Sequence, residues 1–350
     1  MRVFMTVSID LVSPMEDLSE NVVDEMPQKK FQLKAVLKDQ KGGEVISASY
    51  CGIASEPLCD NLLAVVSERM LTIYDDFHMG DHVAVVAQYV HPEEDMRHIQ
   101  ACAWIPGSLS SEMHRTSPRI ALLLSDGTLA VVDIVESKVT HVVETGLAYG
   151  APCLYAPCTW DHCGGREHVV LFDPAVGDVC VVDIVTKKVT VVSSSASAIA
   201  VSQEGDAVVV ARDGGILRVG LDGLESSTQD EHKISTSMIR GIVPVGNHRY
   251  IVRLQGSFQM WDISASTCVS EWKVGKGDQS ALPFGANTEI AVVGTDDGDA
   301  HIFSLETGKE ISVVSVVRVN AGVDAVALSK NGAHIVLAAA NGFLFRYLYC

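Results

Sequence analysis

The sequence predicts an all-β fold, a seven-bladed β-propeller, and three observations carry that prediction. One pattern occurs twice in nearly the same form: GTLAVVDIVESKVTHVVE begins at Gly127, and GDVCVVDIVTKKVTVVSS begins at Gly177. Versions of it recur as far as Gly342 at intervals that average 43 residues, within the range of about 40 to 45 that is typical of propeller blades. Val- and Ile-rich runs of about five residues, separated by Gly, Asp, Asn and Ser, indicate strands joined by turns.

Tight turns divide each unit into strands. The turn between second and third strands is predicted at Asp126-Gly127, Asp213-Gly214, Asp297-Gly298 and Asn341-Gly342, because a tight hairpin needs a residue in the left-handed region. The predicted blades are 45 to 91, 99 to 146, 152 to 196, 197 to 236, 237 to 275, 279 to 320 and 322 to 350.

Ring closure is expected to use a strand from the start of the chain. The last unit has three predicted strands, and the run 31-FQLKAVLK-38 precedes the first unit. If residues 31 to 38 supply the missing outer strand, no sheet edge is left open. The propeller domain is therefore predicted over residues 29–350, and residues 1–28 are predicted to be an acidic arm with the composition of a disordered segment.

Near the end of the third strand, a Trp followed by Asp occurs only at Trp261 and Asp262, and no Gly-His dipeptide occurs. The blades resemble WD repeats, which place Trp and Asp at this position, but in a degenerate form. We therefore expect apolar packing to hold each blade, in place of the buried His and Asp network of regular repeats.

Composition excludes several classes of function. The 26 Lys and Arg residues against 44 Asp and Glu give a net charge of −18, which repels phosphate and disfavours direct nucleic-acid binding. Apolar runs stop far short of the roughly 20 residues that cross a bilayer, so we expect no membrane association. The odd number of cysteines, 9, favours reduced thiols and a cytoplasmic or nuclear protein.

Three stretches resemble the EED/extra sex combs family, the WD-repeat subunit of Polycomb repressive complex 2. The first contains FQLKAVLKDQ, NLLAVVSERMLTIYDD and 99-IQACAWIP-106, of which Cys102, Ala103 and Trp104 are the most specific part. The second is 119-RIALLLSDGTLAVVDIVESKVTHVVETG-146, and the third is 322-GVDAVALSKNGAHIVLAAANGFLFRYL-348.

The resemblance implies a nuclear, non-catalytic chromatin regulator and repressor subunit. Members of the family scaffold an Enhancer-of-zeste-type SET-domain histone methyltransferase and hold one of its helical segments; the alternative is a WD-repeat scaffold of an unrelated complex. The family also cages trimethyl-lysine of a basic histone tail between aromatic rings. Carried over to this sequence, the cage positions are Ile46, Gln100, Ser280 and Ala281, and none is aromatic. Methyl-lysine recognition is therefore not expected.

The remaining candidates are binding residues rather than catalytic ones. Trp160 and Phe284 are possible partner contacts, and Phe284 is also expected in the core as part of a first strand. Cys153, Cys158, His162, Cys163 and His168 are weak metal candidates; their spacing does not match a zinc motif, and a polar loop insertion explains them better. No nucleophile elbow, HExxH helix or phosphate-binding loop occurs, so we expect no enzyme activity and no cofactor.

Overall fold

The protein is a seven-bladed β-propeller. The computed structural model describes residues 31–38, 44–51, 61–76, 84–92, 95–105, 118–146, 154–157, 168–173, 175–202, 207–220, 229–233, 238–246, 248–275, 282–316 and 321–349. These residues form seven antiparallel sheets of four strands each, which confirms the predicted fold. The arm predicted over residues 1–28 lies outside the described residues.

The strands follow one another in a regular order. In chain order they are β1 (Phe31–Lys38); β2 (Val45–Tyr50), β3 (Leu62–Ser67), β4 (Met70–Asp75) and β5 (Ala84–Val90) of blade 1; β6 (Ile99–Ile105), β7 (Arg119–Leu124), β8 (Thr128–Asp133) and β9 (Lys138–Glu144) of blade 2; β10 (Leu154–Pro157), β11 (His168–Asp173), β12 (Asp178–Asp183) and β13 (Val189–Ser193) of blade 3; β14 (Ala198–Val201), β15 (Ala207–Arg212), β16 (Gly215–Gly220) and β17 (Gln229–Lys233) of blade 4; β18 (Gly241–Pro244), β19 (Arg249–Arg253), β20 (Phe258–Asp262) and β21 (Thr267–Trp272) of blade 5; β22 (Phe284–Ala286), β23 (Ile290–Gly294), β24 (Asp299–Ser304) and β25 (Glu310–Ser315) of blade 6; and β26 (Val323–Leu328), β27 (His334–Ala339) and β28 (Phe343–Tyr349) of blade 7. A 3₁₀ turn at Ala340–Gly342 joins β27 to β28, and no helix in the described part of the chain is long and apolar enough to cross a membrane.

The ring closes in two ways. Strand β1 pairs antiparallel with β28, from Phe31 opposite Tyr349 to Lys38 opposite Phe343, and so forms the outer strand of blade 7. The first strands of neighbouring blades contact one another in the order β2, β6, β10, β14, β18, β22, β26 and back to β2. The first strands are therefore innermost, around the central channel, and the fourth strands lie outside.

The antiparallel order defines two faces of the ring. On the upper face each first strand begins, and this face carries the blade-to-blade connections and the turns between second and third strands. The lower face carries the turns between first and second strands and between third and fourth strands.

The turn between the third and fourth strands has the same hydrogen-bond pattern in blades 2, 3, 5 and 6. The last residue of the third strand accepts a hydrogen bond from the backbone N–H three residues later, and the next residue adopts a positive φ. The accepting side chains are Asp133, Asp183, Asp262 and Ser304, and the positive-φ residues are Ser137, Lys187, Ser266 and Gly308. Such side-chain caps fix a turn locally, so Asp133, Asp183 and Asp262 act here in turn formation.

Apolar clusters fill the seams between adjacent blades. One cluster joins Leu71 and Ile73 of blade 1 to Ile99, Ile120 and Leu122 of blade 2, all almost fully buried. The seams also contain buried His and Asp side chains, which the sequence did not predict. His91 is 3% exposed at the seam of blades 1 and 2, and Asp76 is 2% exposed at the seam of blades 7 and 1. Both take part in the ion pairs described below.

Candidate functional site

The upper mouth of the central channel is built by a repeated bulge. The pairing register skips one residue near the start of the first strand in blades 1, 2 and 7, at Ile46, Gln100 and Asp324. A bulge leaves one residue out of the ladder and redirects its side chain. Ile46 is 37% exposed, Gln100 is partly exposed and Asp324 is exposed. These three positions are structurally equivalent, at the rim of the channel.

Two of the four predicted cage positions, Ile46 and Gln100, therefore lie at equivalent places on the rim. Ser280 and Ala281 lie outside the described residues. The third bulge residue is Asp324, which the sequence analysis missed. The signal was present in the alternation of small residues: ISASY follows Val45, QACAW follows Ile99, and DAVAL follows Val323. Aligning these three runs would have placed a carboxylate at the rim.

Asp324 lies in an acidic environment. Its pKa is raised by burial and by the negative charge of Glu44, which stands just before β2 on the neighbouring blade. Both residues are exposed, so solvent screens this repulsion and reduces its size. Because two carboxylates at the junction of blades 7 and 1 disfavour each other's ionised form, a cationic group bound there is favoured by both.

Exposed charges differ in sign between the two faces. On the upper face, the exposed acids among the described residues are Glu44, Glu68, Glu144, Asp213, Glu271, Asp296, Asp297 and Asp324, and the exposed bases are Lys38, Arg240 and Lys273. On the lower face, the exposed acids are Glu136, Glu289, Glu306 and Glu310, and the exposed bases are Lys138, Lys187, Lys188, Arg249, Lys309 and Lys330. The described part of the upper face thus attracts cations, and that of the lower face does not.

A polar network stiffens the upper face between blades 1 and 2. The Nε atom of Arg97 donates to both carboxylate oxygens of Asp95, at 2.8 and 3.0 Å, and Nη1 donates to Asp126 at 3.2 Å. Asp95 also faces His91 Nε2 at 3.2 Å. The Arg97 hydrogen bonds hold the pKa of Asp95 well below its usual range, so these charges are internally paired and do not compete for a ligand.

The thiol of Cys102, on the first strand of blade 2, is not activated. Cys102 on β6 lies 4.0 Å from the Ser47 hydroxyl of β2, and Trp104 Nε1 donates to the Ser49 carbonyl at 3.2 Å. Burial raises the pKa of the Cys102 thiol to about 11. A nucleophilic cysteine needs the opposite shift, so the Cys-Ala-Trp stretch tightens the contact between blades 1 and 2.

Phe284 begins the first strand of blade 6, and its ring contacts two residues of blade 5. Its ring meets that of Phe258 edge-on, with centroids 5.4 Å apart, and the Arg253 guanidinium lies 5.3 Å from its centroid. Arg253 also donates to the carbonyls of Leu282 at 2.5 Å and Arg240 at 2.9 Å. Phe284 is therefore a partly buried seam residue, and its proposed partner contact stays a prediction.

The other sequence candidates contribute little to a described site. Trp160, Cys153, Cys158, His162 and Cys163 lie outside the described residues. His168 begins β11, is buried, and stands opposite Asp183 in the sheet. Within the described ranges, no group of three or more His, Cys, Asp or Glu side chains could hold a metal ion.

Comparison with known proteins identifies the architecture. No family model matches the chain, and no curated protein matches it. Among solved structures it is similar to the crystal structure of Chaetomium thermophilum Raptor, with a TM-score of 0.68 and 12% sequence identity over 92% of this chain. The match covers 29% of the Raptor chain. At this identity the likeness shows a shared fold and nothing further about function.

Proposed function

We propose that the protein is a non-catalytic propeller scaffold whose acidic upper face binds a basic segment of a partner protein. The observation that carries the proposal is the difference in exposed charge between the two faces. Complementary charge steers association and selects partners. A closed ring with a rigid polar seam offers a preformed surface for such a segment, so binding requires little reorganisation of the scaffold.

The resemblance to the EED/extra sex combs family indicates which partner to test first. We propose a SET-domain histone methyltransferase that contributes a helical segment, with a basic histone tail as a further ligand of the same acidic mouth. In this role the protein is nuclear, carries no cofactor and activates or stabilises the catalytic subunit. The bulge positions Ile46, Gln100 and Asp324 provide no aromatic cage, so a tail would bind through its positive charges.

Affinity purification of the tagged full chain, followed by mass spectrometry, tests the partner. The expected result is a SET-domain protein that is enriched with the wild-type chain, whose methyltransferase activity rises when purified propeller is added back. Reproducible recovery of a different assembly, without any SET-domain protein, would contradict the Polycomb-like part. A scaffold of an unrelated complex, the alternative hypothesis, would then replace it.

A further inference from the structure

A polar hollow lies on the lower face at the seam of blades 7 and 1. Its volume is about 300 Å³, and among the described residues it is lined by Asn61, Ser329, Lys330, Asn331 and His334. All five side chains are polar. This volume is at the small end of ligand pockets, which run from about 300 to 1,000 Å³, so it suits a compact polar ligand.

A buried ion-pair cluster forms the wall behind His334. Its ring nitrogen Nδ1 contacts the carboxylate of Asp76 and lies 3.2 Å from Arg346 Nη2. Arg346 Nε lies 2.5 Å from Asp76 Oδ1, and Tyr50 Oη donates to Asp76 Oδ2 at 3.1 Å. The negative charge of Asp76 is therefore fully engaged by its own neighbours.

The directions of the pKa shifts agree with this arrangement. Burial alone would raise the pKa of Asp76, but hydrogen bonds from His334 and Arg346 outweigh it and hold that pKa below its usual value. Burial and the Asp76 charge raise the pKa of Tyr50 well above its usual value, so the phenol keeps the proton that it donates. The adjacent Arg346 guanidinium offsets the negative charge of Asp76 and so reduces its repulsion of an anion in the hollow.

Three of the residues that line the hollow carry groups that can donate hydrogen bonds. Asp76 balances Arg346, which leaves the Lys330 ammonium as a fixed positive charge; within the described residues Lys330 has no ion-pair partner. Asn61 Nδ2 is buried and, in the described part of the chain, has no hydrogen-bond partner. His334 uses Nδ1 to donate to Asp76, and its side chain is 20% exposed, so Nε2 is the ring nitrogen left for a ligand; it donates to an anion in the doubly protonated ring.

We propose that this hollow binds a phosphate monoester. Three donor groups on separate residues, Asn61, Lys330 and His334, match the three terminal oxygens of such a group better than the two oxygens of a carboxylate. Charge-assisted hydrogen bonds to oxyanions are short and strong, and a buried donor without a partner gains most from acquiring one. The ester can belong to a phosphorylated side chain of a protein or to a free metabolite, because both present the same dianion.

Calorimetric titration of the full chain tests the site, with O-phosphoserine, a capped phosphoserine peptide, its unphosphorylated form, inorganic phosphate and acetate as probes. The phosphate probes should bind, and K330A and N61A should each weaken binding roughly tenfold or more. K309A, another exposed lysine of the lower face, is the matched control and should leave binding unchanged. The Lys330 side chain is exposed, so K330A should melt at the wild-type temperature, and the melting temperature of N61A is measured alongside to show that it is folded.

The two sources of the phosphate are separated by the probes. Tighter binding of the phosphopeptide than of O-phosphoserine indicates a protein ligand, and the reverse order indicates a free ester. Acetate that binds as well as phosphate would overturn the phosphate assignment. Equal binding by the wild type, K330A and N61A, or no binding of any phosphate probe, would overturn the site. These outcomes do not depend on the upper face, so the proposed scaffold function stands or falls separately.

Discussion

Removing Arg346 tests the buried ion pair that ties blade 7 to blade 1. Asp76 is 2% exposed, and Arg346 supplies both an ion pair to its carboxylate and a 3.3 Å hydrogen bond to its backbone carbonyl. The substitution R346M keeps most of the side-chain volume and leaves a buried carboxylate with His334 and Tyr50 as its remaining partners. Breaking a buried pair in this way costs about 3–5 kcal/mol.

This cost converts into a measurable change in melting temperature. With an unfolding entropy of about 2.1 cal/mol/K per residue, a chain of 350 residues should melt about 4–7 °C lower as R346M than as wild type. Differential scanning calorimetry and urea unfolding at neutral pH measure the loss. The double variant D76N/R346M removes both charges and should recover part of the stability, because no ion is then left unpaired.

An exposed pair of the same chemistry provides the control. Arg249 lies 3.5 Å from Asp262, and its side chain is 57% exposed, so R249M should cost no more than about 1 kcal/mol. If R346M is no worse than R249M, or if D76N and R346M have additive effects, the seam does not depend on this ion pair and the reasoning fails.

Three further predictions follow from the same structure. Because the folded-state pKa of Asp76 is lowered, the stability that it contributes is present above its unfolded pKa of about 3.9 and is lost as pH falls through the lower folded value; the difference in unfolding free energy between the wild type and R346M, measured by urea unfolding at a series of pH values, should therefore narrow as pH falls below about 4, and a difference that does not change with pH would contradict this. Deletion of residues 1–25 leaves β1 whole and should leave a monomer that melts cooperatively, whereas deletion of residues 1–40 removes β1, exposes the β28 edge and should cause aggregation in size-exclusion chromatography; a monomeric, cooperatively melting fragment would contradict this. Since Ile46 and Gln100 offer no aromatic face, trimethyl-lysine peptides should bind no better than unmodified ones in calorimetry, and a tenfold preference for the methylated peptide would disprove the assignment of the rim.

The fold was predictable because the turns and the repeat that indicate it depend on residues close in sequence and occur in several blades. Turns such as Asp126-Gly127 and Asp297-Gly298, and the period of the repeat, depend on residues close in sequence. The Gly127 and Gly298 backbones do adopt positive φ, 81° and 87°. The repeat also located the third strands that hold Tyr74, Phe303 and Tyr347, each of which is buried.

The seams and the rim were harder to predict because they depend on residues far apart in sequence. Asp76 lies in the first blade and His334 in the last, and they meet only when the ring closes. The Arg253 guanidinium over Phe284 likewise joins two blades. Asp324 was missed for a different reason: its bulge shifts the strand register by one residue, which obscures its equivalence to Ile46 and Gln100.

The central claim, that the upper face binds basic segments, is tested by titrating a lysine-rich peptide into two charge variants that differ in location. E44Q/D296N/D297N/D324N removes four exposed acids from the upper face, and E136Q/E289Q/E306Q/E310Q removes four from the lower face, so both change the net charge equally. The upper-face variant should lose affinity roughly tenfold or more at low salt, the lower-face variant should bind like the wild type, and the difference should shrink as ionic strength approaches about 0.15 M. Equal losses in the two variants would show that net charge alone attracts the peptide, and would contradict a binding site on the upper face.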